Sequence, residues 1–240
     1  KLETSSRMFE FVYKMFGEGY ASIPKSGMEA IPKQLLKQLK KTTFKYNTKV
    51  AEVNEGEIVL EDQTKIKSHY TLIATQANRL LPHLNRQSIS WKSCVNFYFE
   101  TDKRTIKKPL IGLIAQQGSL VNNIFYTTSI ATKTKAKKEL LSVTVIDTQN
   151  LKEEALLQRV KKELKELCGI DVGQLIKQYT IPMALPNLAN LTHELDPIDT
   201  QVGNTLFVAG DTLLNASLNA AFIAGEMAAL RLAKVASKRR

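Results

Sequence analysis

The sequence predicts an α/β plus α+β protein, and three observations carry that expectation. Leu206-Phe207-Val208-Ala209 is a continuous apolar run, too short for a globular helix and closed by Gly210-Asp211, which fits a strand covered on both faces. A long helix follows over residues 217–230. Residues 43–75 read as a meander of strands, and residues 89–186 combine strand-like runs with one amphipathic helix.

From the start of the chain, Met8, Phe9, Phe11, Val12, Tyr13, Met15 and Phe16 fall at mixed spacing, consistent with a largely buried helix ending near Gly17 or Gly19. A Pro/Gly loop over 21–28 then feeds a second helix with Pro32 in its first turn. Ile31, Leu35, Leu36 and Leu39 recur at helical spacing, with Lys33, Lys37, Lys40 and Lys41 on the other face. Such a basic amphipathic helix is either half-buried or lies on a membrane surface. Residues 44–53, 58–60 and 66 give the meander, with a turn at Asn54-Glu55-Gly56, and Tyr70 to Thr75 gives a buried strand. In the middle region, runs at 94–99, 110–114, 123–128 and 140–145 are strand-like, separated by polar, Lys-rich turns. Residues 153–168 form a helix with Leu156, Val160, Leu164 and Leu167 on one face, stopped by Gly169. In the last helix Ala220, Ala224 and Ala228 stand at i, i+4 and i+8 beside Gly225, a small-residue stripe that permits close approach to a sheet.

The chain has 240 residues and is 43% hydrophobic, enough for a real core and against disorder. Lys and Arg number 34 against 23 Asp and Glu, a balance of +11 that invites anionic partners. The lysines are spread, with modest clusters at 103–108, 133–138 and 238–240, so solvated faces account for them and no nucleic-acid partner is expected. Cys94 and Cys168 are far apart without a CxxC pattern, and His69, His83 and His193 share no ligand spacing. No metal is expected. No apolar run of about 18 residues is present to span a bilayer. A cytoplasmic location, with at most peripheral membrane contact, is the expectation.

Asp211 sits just past a buried strand, where α/β sheets bind ligands, and could accept hydroxyl hydrogen bonds from a polyol. The other reading is that it only caps the turn or the next helix, and for a strand, Gly-Asp turn and helix taken alone that reading comes first. Residues 206–211 followed by 217–229 resemble the C-terminal FAD-binding motif of the flavin-containing amine oxidase superfamily, which includes monoamine oxidases, protoporphyrinogen oxidase and phytoene desaturase-like enzymes. The resemblance implies that Asp211 holds the FAD ribitol and that Gly210 and the amides of Ser217, Leu218 and Asn219 lie near the pyrimidine and pyrophosphate. Where family members often carry Gly, this chain has Ala216 and Asn219. The meander matches a second family block: the backbone of Val50 would pair with adenine, and Ala74-Thr75 would end the returning strand. Residues 24–28 resemble the "P-x-G-G-M" segment, with Ser26 for the first Gly, which places Gly27 and Met28 near the flavin. Residues 181–195 resemble the crossing segment back to the cofactor domain, and Lys92 and Tyr126 are the candidates for catalytic side chains.

The fold so implied is a partial, discontinuous FAD-binding Rossmann-like domain (residues 1–85 and 187–240) with an antiparallel-sheet substrate-type domain (86–186). No strand is followed by GxGxxG, the turn that approaches pyrophosphate. The expectation is therefore a fragment of an FAD-dependent oxidoreductase that passes hydride from a small-molecule substrate to flavin N5. Its missing N-terminal nucleotide-binding segment would leave this chain alone inactive and weak or empty in FAD. Polyene or porphyrinogen desaturation is the alternative substrate class. A non-catalytic basic binding or assembly domain derived from a flavoprotein is the alternative function.

Overall fold

A computed structural model describes residues 6–81, 89–130, 137–188 and 191–238. His83, Lys133 and the terminal Arg239-Arg240 lie outside the described residues. In chain order the elements are α1 (Ser6–Glu18), α2 (Ala30–Gln38), β1 (Val50–Asn54), β2 (Glu57–Leu60), β3 (Lys65–Lys67), β4 (Thr71–Ile73) and α3 (Ala77–Leu80). There follow β5 (Ser90–Thr101), β6 (Gly112–Leu113), β7 (Val121–Tyr126), β8 (Glu139–Val145), α4 (Glu153–Cys168), β9 (Leu175–Asn187), β10 (Leu206–Val208) and α5 (Leu218–Ser237). The protein is thus a mixed helix and sheet fold with antiparallel sheets. It divides into two compact units, one of residues 1–20, 41–90 and 186–240, the other of residues 21–40 and 91–185.

The second unit is built on a five-stranded sheet in the order β6-β7-β8-β5-β9. Register runs antiparallel from Val95 opposite Val145 to Thr101 opposite Glu139. Alternation does the rest: Val95, Phe97, Phe99 and Thr101 are buried while Asn96, Tyr98 and Glu100 are half-buried. Against the buried face α4 packs Leu156, Val160 and Leu164. The stop at Gly169 has a visible cause, since its φ of +64 lets its own N–H reach Lys165 O at 3.1 Å and Ile170 N reach Leu164 O at 3.0 Å. β9 was not foreseen. It is an edge strand carrying Pro182 and Pro186, residues that an edge tolerates because one side of the ladder is unpaired.

The first unit holds two small sheets. β1, β2 and β3 form the antiparallel meander, with Val53 opposite Ile58 and Ile58 opposite Ile66. β4 and β10 pair in parallel, with Val208 beside Ile73. All three β10 residues are buried, and Phe207 is fully so. Glu55 in the meander turn accepts from Asn204 N at 2.7 Å and Thr205 N at 2.8 Å, and also bonds the Thr205 hydroxyl, tying the turn to the entry of β10.

Two expectations change in this unit. The strand expected from Phe44 begins only at Val50, because Tyr46-Asn47 turns and Asn47 takes a left-handed φ of +52. α1 forms as expected but buries no residue: Phe9, Tyr13 and Phe16 are 70%, 73% and 66% exposed. Its aromatics are distributed around the helix, so one neighbouring layer can shelter only one arc, and Met8 and Phe11 occupy it.

Candidate functional site

The carboxyl edge of β4 and β10 is the first component of the site. Ala209 N donates to Ile73 O at 2.9 Å, so Ala74-Thr75 and Gly210-Asp211 leave the pair side by side. Val50, at the start of β1, packs on the cluster of Ile73, Leu206 and Val208 below that edge. Gly210 has φ +151 and ψ 163, a region that only glycine adopts without strain, and this lets the chain turn sharply into a short helical turn at Asp211. The Asp211 carbonyl accepts from Leu214 N and Ala216 N, both at 3.1 Å, which folds the loop tightly. Its half-buried carboxylate accepts no hydrogen bond from a described residue.

The second component is the N-terminus of α5. Ser217 caps it, accepting from Ala220 N at 3.1 Å. Leu218 is half exposed and Asn219 is exposed. Ala220, Ala224 and Ala228 are fully buried, so the expected stripe does seat the helix. Gly225 does not take part, since a Cβ there would meet nothing within 4 Å. Ala216, just before the cap, has a left-handed φ of +56.

Beside this N-terminus lies a cleft of about 670 Å³, lined by Ser217, Asn219, Ala220 and Ile223 of α5 and its cap, by Arg7, Phe11 and Met15 of α1, and by His193 and Asn215. Asn215 is 5% exposed. It receives a 2.7 Å bond from Ser217 Oγ, gives one to Thr192 O at 3.2 Å, and lies 2.9 Å from His193 Nδ1. The His193 ring stacks on Phe11 at 5.1 Å. Neither Asn215 nor the grouping around His193 was foreseen. Asn215 stands two residues before the cap, the only local signal.

The two catalytic candidates lie in the other unit. Lys92 is exposed on β5. Tyr126 is 1% exposed in the five-stranded core, its hydroxyl 3.3 Å from Thr105 Oγ1 and 3.4 Å from Thr105 N. Met28 is 50% exposed and Gly27 has φ +85 in open space. Burial pushes the thiols of Cys94 and Cys168 up, the latter helped by the Glu163 charge. Among the described residues no group of His, Cys, Asp and Glu could hold a metal, and no helix is long and apolar enough to cross a membrane.

A parallel strand pair that presents an acidic residue at its carboxyl edge, followed by a capped helix, is an arrangement found in nucleotide-cofactor enzymes of α/β type. The chain belongs to the flavin-containing amine oxidoreductase family, whose model matches residues 1–233. Its fold is similar to that of a protoporphyrinogen oxidase candidate from Exiguobacterium sp. 255-15, at a TM-score of 0.62 and 15% identity over 87% of this chain and 52% of that one. It is also similar to a redesigned putrescine oxidase, at a TM-score of 0.58 and 14% identity over 88% of this chain and 53% of that one. A fatty acid isomerase from P. acnes that produces CLA matches at a TM-score of 0.59 and 11% identity, over 85% and 51%. The chain therefore spans about half the length of the solved structures it matches. No curated protein sequence matches it significantly.

Proposed function

We propose that these residues form the ribitol- and pyrimidine-facing part of an FAD site in an oxidoreductase of the amine oxidase type. Residues 1–85 and 187–240 would be parts of a discontinuous Rossmann-like domain, and residues 86–186 a substrate-type domain. The observation that carries the reading is the Asp211 carboxylate, which stands at the carboxyl edge of β4 and β10 with no hydrogen bond from a described residue. A carboxylate in that position accepts two polyol hydroxyls, and family membership supports a flavin as their source.

The donor set fits the group. The first N–H groups of α5, at Leu218 and Asn219, have no carbonyl four residues back within the helix and would donate to the flavin pyrimidine. The positive end of the helix favours negative charge there. Val50 would offer its backbone to adenine, and Ala74-Thr75 would wall the site. When bound, the flavin supplies a hydride acceptor at N5. This chain's part is to orient that ring and exclude water, with an amine as the favoured substrate class.

The pyrophosphate contact needs a GxGxxG turn, which the 240 residues do not contain. In this reading the chain by itself holds FAD weakly, and tight binding belongs to a longer protein. Replacing Asp211 by Ala in the intact protein removes two charge-assisted hydrogen bonds and should weaken flavin retention on the order of a hundredfold. Absorbance of the purified protein reads this directly. An Asp211→Ala protein that keeps its full flavin content overturns the role of the carboxylate, and a flavin-bearing preparation of the 240 residues alone overturns the need for an outside turn.

A further inference from the structure

Residues 103–138 hold eight Lys and Arg and no Asp or Glu. The sheet brings the two ends of that run together. Thr101 stands opposite Glu139, Tyr126 opposite Leu141 and Gly112 opposite Ile124, so the chain leaving β5, the chain entering β6 and the chain entering β8 all meet one end of the five-stranded sheet. Arg104 fixes the placement by pairing with Glu139 at 3.0 Å. Ile106 packs on the core and Thr105 meets the Tyr126 hydroxyl, which pins the loop after β5 down. Past the pin, Leu110, Ile111 and Leu113 are 58%, 59% and 76% exposed, beside the exposed Lys107 and Lys108 and on or next to the edge strand β6.

The charge surplus survives an account of the acids that face it. Glu139 takes Arg104, Glu100 takes Lys138 at 3.4 Å, and Asp102 stands next to Lys103. Lys107, Lys108 and the exposed Lys137 keep no ion pair among the described residues. Lysines at a sheet edge ordinarily guard it against pairing. Three large aliphatic side chains in the same loop undo that protection in water, so the combination fits a surface that is anionic outside and apolar within.

We propose that residues 107–113 dock on an anionic lipid bilayer, with Leu110, Ile111 and Leu113 entering the acyl boundary and Lys107, Lys108 and Lys137 facing the headgroups. The lysine stems lie along apolar surface while their ammonium groups stay among the phosphates. A nucleic acid would use the lysines and leave the aliphatic side chains in water, which favours the bilayer as partner. The contact is peripheral, and each unpaired lysine strengthens it about fivefold. The inference goes beyond the flavin reading and does not depend on it, because none of these residues is assigned to the flavin.

The test is flotation of the 240-residue chain with vesicles of phosphatidylcholine carrying about 30% phosphatidylserine, against phosphatidylcholine alone, at low and high salt. Binding should be roughly a hundredfold stronger on the anionic vesicles at low salt and should fall steeply as salt rises. Lys107→Gln with Lys108→Gln should weaken it roughly twentyfold, and Leu110→Ser with Ile111→Ser about tenfold. Leu35→Ser with Leu36→Ser, on the exposed apolar side of α2 in the same unit, should leave it unchanged. Leu110→Trp gives a reading that needs no loss of binding: relative to the unmodified chain, its emission should move to the blue on anionic vesicles. Equal binding to the two vesicle types, loop variants that bind as the unmodified chain does, an α2 variant that alone loses binding, or no blue shift would each overturn the proposal. So would a loss confined to the lysine variant, which marks a site for polyanions without insertion.

Discussion

In the five-stranded unit, Phe97, Phe99, Leu141, Val143 and Val145 are wholly shut away against α4, whereas in the unit that carries Asp211 the fully enclosed residues of α5 are alanines. Large side chains at alternate positions bury enough apolar surface for the sheet to close its own core. Alanines contribute little area each, but they let a helix sit low and bring its capped end beside a strand edge. Polar pins hold that arrangement: Glu55 on Asn204 and Thr205, and the chain from Ser217 through Asn215 to Thr192 and His193. Stability in one unit comes from volume, and in the other placement of backbone and polar groups comes from smallness and hydrogen bonds.

Glu163 is where that division should break most visibly, because it is a polar pin inside the volume-packed unit. The residue is 9% exposed, and its carboxylate accepts from Ser119 Oγ at 2.7 Å, Leu120 N at 2.8 Å and Val121 N at 3.0 Å, with Arg159 Nε at 3.3 Å. Burial pushes its pKa up, but the bonds from Val121, Ser119, Leu120 and Arg159 outweigh that and hold it below the ordinary value of 4.5. Removing the carboxylate in Glu163→Ala leaves buried N–H groups unpaired and should cost about 2–4 kcal/mol in urea unfolding. The sign with pH follows from the depressed value. The stabilisation is complete above the unfolded carboxylate pKa and is lost as pH falls through the lower folded one, so the gap between wild type and variant should close in acid.

The alanine stripe gives the second contrast. Ala224 is fully buried on α5, and Ala224→Leu forces side chain into space that the helix has closed, at about 1–3 kcal/mol. The same added volume on the half-buried outer face of the sheet should matter far less, and thermal unfolding of the two variants compares them. The stripe was readable beforehand because i, i+4, i+8 spacing is a local property of a helix. So was α4, whose apolar spacing and Gly169 stop give its observed limits. β9 was not, because its prolines and exposed apolar residues obey edge-strand rules that apply only once its neighbour is known. The burial of α1 was misread for the same reason: its aromatics need a second layer, and local sequence does not say whether one is there. The strand, Gly210-Asp211 and capped helix were legible as a motif. The His193–Asn215 contact joins two side chains 22 residues apart, and nothing in the pattern announces it.

The smallest effect is expected at Ala216, and it tests whether the placement of α5 is held against strain. Its φ of +56 is left-handed, which costs a residue with a Cβ about 1–2 kcal/mol relative to glycine. Glycine also loses more freedom on folding, by about 0.4–1 kcal/mol, so the two terms partly cancel. Ala216→Gly should therefore stabilise the chain by about 0.5–1 kcal/mol at most, raising the urea midpoint slightly. The residue lies between Asn215 and the Ser217 cap, and its conformation aims both: Ser217 back onto Ala220 N, Asn215 toward Thr192 and His193. If alanine is there because it narrows the loop to that conformation, the glycine variant should be more stable yet show a broader His193 ring signal in NMR, as a looser loop samples other orientations. A variant that gains stability with an unchanged signal would mean that the polar chain alone positions His193, and that the left-handed alanine is tolerated rather than used.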